Sequence, residues 1–221
     1  MRLLACVLLW TSFQDPSQAY SQSEITYGIQ PLLELEDQSI QSFIPSSIQT
    51  LMMSEEIEHF LQQLEHSPPD WSQLQHPNIR EQSERLFRFN RRRDKTRSKA
   101  NALIEQSVAF LWTGILRQYL PKYHGFSLAL GPELTQSSWG IIRFKPINLP
   151  DYLVAIPTPA MREDLLYRQQ QGEPLEITVV CIGTLIPDES LIYAFSHDDH
   201  NAGMILPVVS IQNLMYFLKA S

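Results

Sequence analysis

From Gly125 onward the apolar pattern of this chain breaks into short runs bounded by Pro, Gly or Asp, and this constrains the fold most. The runs are 126–130, 139–145, 152–156, 176–186, 191–195 and a last one within 204–218. They are rich in Ile, Val, Phe and Tyr, as half-buried strands are. One helical pattern interrupts them at about 160–171, opened by Pro159 and closed by Gly172. Five or six short strands close most simply as a small curved sheet or a partly open barrel.

Before Gly125 the spacing is helical. Met53, Ile57, Phe60 and Leu64 share one face of a helix at about 51–66, which Ser67-Pro68-Pro69-Asp70 ends. Ala100, Ile104, Val108, Leu111, Ile115 and Tyr119 form a second stripe that Leu86 and Phe89 extend backwards. This spacing predicts one long helix over about 83–120, stopped by Pro121. The expected class is α+β, with a helical N-terminal half and a β-rich C-terminal half. The corresponding division is a signal peptide at 1–19, an extended or disordered leader at 20–50, a helical hairpin region at 51–121 and a β-rich domain at 122–221. At 221 residues the chain is long enough to bury a sizeable core.

The signal-peptide expectation rests on Arg2, an apolar run from Leu3 to Trp10, and small residues at Ser17 and Ala19. Cleavage after Ala19 removes Cys6 and leaves Cys181 alone, so no internal disulfide is expected. Leu3-Leu4-Ala5-Cys6 has the form of a lipobox, but Val7-Leu8-Leu9-Trp10 continues the apolar run past the cysteine. Asn-x-Ser/Thr sequons are absent, and no apolar run reaches the roughly 20 residues of a membrane helix. The expected location is exported, periplasmic or secreted.

Charge is strongly partitioned. Residues 20–79 hold nine acids and no Lys or Arg, whereas residues 80–99 hold nine bases and three acids. The overall net charge of −7 therefore hides a basic block. Arg85, Arg88, Arg92, Lys95 and Lys99 follow a 3, 4, 3, 4 spacing, which places them within about 80° of arc on a helix. Arg91, Arg93 and Arg97 widen that surface. Arginine forks suit carboxylates and phosphates. The partner expected for this ridge is an acidic protein surface or envelope complex. Peripheral contact with a membrane is a further use of it, and nucleic acid is disfavoured by export and by the acidic total. Alternatively, Glu55, Glu56, Glu58 and Glu65 on the preceding helix neutralise part of the ridge, leaving Arg91 and Arg93 free.

Ser196-His197-Asp198-Asp199-His200-Asn201 carries divalent-metal ligand types, and His197, Asp199 and His200 are the candidates. Ligands this close on one loop diverge, and Ser, Asp and Asn are turn formers, so a polar turn is the simpler reading. Cys181 lies in an apolar β-branched run and reads as packing rather than a nucleophile. No Gly-x-Ser-x-Gly elbow, Gly-rich phosphate loop or dinucleotide fingerprint occurs, and no cofactor is expected. The function expected is an exported envelope protein that acts as a non-enzymatic assembly or adaptor subunit through its basic helix. One alternative is a metal-assisted hydrolase using His197-Asp198-Asp199-His200. Another is a binding domain for an anionic envelope polymer or lipid.

Overall fold

The computed structural model describes residues 27–35, 39–97, 102–196 and 202–219. The signal-peptide segment, Lys99 and residues 197–201 lie outside the described residues.

Six strands form a closed barrel. These are β1 (Ile29–Leu35), β8 (Val154–Ile156), β4 (Gly125–Gly131), β3 (Ser107–Leu120), β9 (Glu176–Leu185) and β11 (Gly203–Lys219), in that order, with β11 returning to β1. β1 runs parallel to both of its neighbours, β8 and β11. The other barrel pairings, from β8 through β4, β3 and β9 to β11, are antiparallel.

Alternation along the strands sorts their side chains onto two apolar faces. Phe110, Val179, Cys181, Leu214 and Tyr216 fill the larger core, while Ala109, Val180, Ile182 and Phe217 face the other way. That second face is covered by Ile40, Phe43, Ile44 and Ile48, with the Phe43 and Phe217 rings 5.1 Å apart. β2 (Gln49–Thr50) then pairs in parallel with β3.

The first part of β11 extends beyond the barrel. It pairs with β10 (Leu191–Phe195) on one side and with β6 (Gly140–Ile142) on the other, and β5 (Thr135–Ser137) continues the sheet past β6. β7 (Lys145–Ile147) adds a parallel pairing where β11 enters the barrel. A bulge between Ile211 and Asn213 bends the strand there.

Three helices precede β3. α1 (Ser54–Glu65) buries Ile57, Phe60, Leu61 and Leu64. Its first turn is capped by the Glu56 carboxylate, which accepts the Met52 and Met53 N–H groups and the Thr50 hydroxyl. α2 (Trp71–Leu74) is capped by Asp70. α3 (Ile79–Arg97) starts where the Asn78 carboxamide accepts the Arg80 N–H at 2.9 Å. α4 (Pro159–Gln170), capped by Thr158, follows β8 and buries Leu165 in the main core. No described helix is long and apolar enough to cross a membrane.

The structure overturns the expected fold class. The chain is sheet-rich around a closed barrel and has no helical N-terminal half. The helix expected over 83–120 ends at Arg97, and its second half is the barrel strand β3. The physical reason is that residues 108–112 are apolar on both faces, because the barrel core lies on one side and residues 40–48 on the other. A doubly apolar run satisfies a 3.6-residue period and a 2-residue period at once. Within the 51–121 stretch the helices are Ser54–Glu65, Trp71–Leu74 and Ile79–Arg97, and Ser107–Leu120 is strand. The sheet is not left open either: residues 29–35, placed in the leader, supply the strand that joins β8 to β11.

Candidate functional site

α3 is held by its inner side. Leu86 and Phe89 pack against the core, and the Asn90 carboxamide pairs with the outer edge of β10. Its Nδ2 donates to Tyr193 O at 2.9 Å, and its Oδ1 accepts the Tyr193 N–H at 2.8 Å. One side chain thereby replaces a neighbouring strand and closes an exposed edge.

Farther along, Arg93 and Arg97 converge on Glu65 at the end of α1. Arg93 Nη1 donates to Glu65 Oε2 at 2.6 Å and to Ser67 O at 3.2 Å, and Arg97 Nε donates to Glu65 Oε1. Arg97 Nη1 also reaches Asp94 Oδ1 and Ser190 Oγ, both at 2.9 Å. The side chains of Arg97 and Glu65 are 1% and 3% exposed, so this is a buried charge cluster. Arg97 Nη2 has no hydrogen-bond partner among the described residues. Burial, opposed by Arg97, raises the Asp94 carboxyl above its ordinary range, and burial also raises the Tyr193 hydroxyl.

The outer side of α3 faces solvent. Arg85, Arg88, Arg91, Arg92 and Lys95 are all exposed. Arg88 pairs with Glu84 at 3.1 Å, and Arg85 reaches the carbonyls of Gln73 and Gln75 at 3.4 and 3.5 Å. Among the described residues, Arg91, Arg92 and Lys95 form no side-chain hydrogen bond or ion pair. Phe87 is 66% exposed on the same side, within a shallow hollow of about 500 Å³ that Arg80, Ser83, Glu84 and Arg88 complete. Ile79, 81% exposed, stands at the start of the helix.

The sequence-derived ridge of Arg85, Arg88, Arg92 and Lys95 therefore lies together on one exposed face, with Arg91 beside it. The expected neutralisation by α1 takes a different form. Glu65 is the acid of α1 that pairs across, and its partners are Arg93 and Arg97. Arg93 is thus engaged rather than free. Glu56 is turned to its own helix start, and Glu58 accepts the Ser138 N–H. Phe87 was not singled out in the sequence; its signal was an aromatic placed off the apolar stripe.

His197, Asp198, Asp199 and His200 lie outside the described residues, and among those described no group of His, Cys, Asp or Glu is arranged to hold a metal. Cys181 is fully buried in β9, and burial pushes its thiol up to about 12, which suits packing rather than nucleophilic chemistry. No protein family, curated protein or solved structure matches this chain.

Proposed function

We propose that the protein is an exported, non-enzymatic adaptor that binds an acidic protein segment along the outer face of α3. The observation that carries this reading is the placement of an exposed Phe87, one and two turns along the helix from cations that the described fold leaves unpaired: Arg91 and Lys95. Aromatic and arginine side chains are the anchors from which interfaces draw most of their energy, and a positive face steers an acidic partner. The inner face of α3 is already occupied by β10 and α1, so the helix can present its outer face without rearranging. Export rests on the charge, apolar run and small-residue pattern before Tyr20, and N-terminal sequencing of the mature protein should begin at that residue.

The test compares the parent with an Arg91→Glu/Lys95→Glu double variant and with Phe87→Ala. All three should melt at nearly the same temperature, since exposed substitutions away from packed features usually change stability by less than about 0.5 kcal/mol. Cross-linking in the native envelope should give a partner adduct with the parent that both variants lose. Parent binding should also weaken with salt, because exposed charges are screened over about 10 Å at 0.1 M. Folded variants that keep the same adducts at the same yield would remove the proposal.

A further inference from the structure

The end of α1 and the last turns of α3 enclose a cleft of about 440 Å³, on a different flank of α3 from the Phe87 hollow. Its wall includes Arg92, Arg93 and Arg97 with one carboxylate, Glu65. Both Glu65 oxygens are engaged by Arg93 and Arg97. Asp94 lies against Arg97 and offsets part of what remains, yet the wall keeps an excess of positive charge. Arg92 is exposed and has no side-chain partner among the described residues, and Arg97 Nη2 is a buried donor without an acceptor among them. The carbonyl ends of α1 would repel an anion if bare. Arg93 covers the last of them, donating to Glu65 O, and also donates to Ser67 O just beyond the helix.

A second, independent feature is His66, which lines the same cleft. Its backbone has φ 68° and ψ −33°, a region that glycine enters freely and a residue with a β-carbon enters under strain. The chain places an imidazole where helix termination alone would favour glycine. We propose that this cleft binds a phosphate-type oxyanion, with the Arg92 guanidinium and the His66 ring as its direct donors and Arg93 and Arg97 as the positive wall behind. Forked guanidinium donors match the paired oxygens of phosphate. The phosphate can belong to a soluble ester or to a lipid headgroup. This site does not depend on the adaptor reading, since its two donors are not the residues that carry that test.

The probe is inorganic phosphate added to the full-length protein, with sodium chloride of equal ionic strength as control. A ligand that binds only the folded state raises the melting temperature. The parent should therefore show a phosphate-specific rise at about 10 mM, and titration calorimetry should give a dissociation constant that Arg92→Ala weakens by about tenfold or more. His66→Gly should melt at or above the parent, because the strain is relieved, and yet bind phosphate several-fold more weakly. An Arg91→Ala/Lys95→Ala variant should bind phosphate like the parent. Phosphatidic acid in phosphatidylcholine vesicles separates the sources: retention that needs Arg92 identifies a headgroup, whereas phosphate binding without retention identifies a soluble ester. No phosphate-specific shift in the parent overturns the proposal. So does unchanged binding in both Arg92→Ala and His66→Gly, or an equal loss in Arg91→Ala/Lys95→Ala, which would mean diffuse charge rather than a site.

Discussion

Trp71 shows how much one side chain can depend on the absence of others. Its indole N–H donates to Trp139 O at 2.8 Å, and its ring packs at the edge of Phe195, with centroids 5.6 Å apart. The space it fills exists because Gly203 has no side chain: a β-carbon there would sit 2.0 Å from the indole. Gly203→Ala should therefore cost about 1–3 kcal/mol in denaturant unfolding, the range of an overpacked core. Combined with Trp71→Leu, its additional cost should shrink, since residues in contact are not additive. Cys181 is the opposite case, a reactive group made inert by its setting. With its thiol pushed up to about 12, almost no thiolate exists at about pH 8. Iodoacetamide should leave the Cys181 peptide unmodified in the folded protein and alkylate it fully in guanidinium, as read by mass spectrometry.

At the scale of elements, α3 meets β10 through the Phe89 ring, whose centroid lies 5.0 Å from that of Tyr193, and through one carboxamide, Asn90, that pairs with the strand's backbone. Asn90→Leu fits the apolar neighbours but leaves the Tyr193 N–H and carbonyl unpaired. It should lower stability by about 1–3 kcal/mol, measured by chemical denaturation, while circular dichroism keeps its helical signal. Elements of this chain differed in how legible they were. The helices at Ser54–Glu65 and Pro159–Gln170 lie within a few residues of where the sequence placed them, the first because it has one apolar face and a clear stop, the second because Pro159 and Gly172 bound it. β3 was read as helix because both faces of its first part, residues 108–112, are covered, which erases the two-residue alternation that marks a half-buried strand. β1 was missed because Gln30 and Pro31 interrupt its apolar residues, and its pairing partners lie more than 100 positions away. The same limit applied to α3. Spacing alone grouped Arg85, Arg88, Arg92 and Lys95, since helical geometry is local. That Glu65 takes Arg93 and Arg97 depends on a contact 28 to 32 residues distant, which charge counting does not specify.

At the scale of the whole molecule, closure of the barrel ties most of its strands into one unit. β9 lies between β3 and β11 and pairs with both over most of its length. Its amides should exchange with solvent water more slowly than those of α2 or β5, which hydrogen-exchange mass spectrometry can resolve by peptide. If α3 and β9 exchanged at one common rate, the helices would have to be counted as part of the same cooperative unit. The place of β11 in the chain has a further consequence. Every other barrel strand precedes it, and it alone joins β9, β10, β6, β7 and β1. A ribosome therefore delivers the closing piece last, and until it emerges the earlier strands have no ring to complete. During synthesis such a polypeptide stays unlocked and can still be drawn end-first through a narrow translocation pore. Once β11 docks, threading would first require the whole ring to be broken.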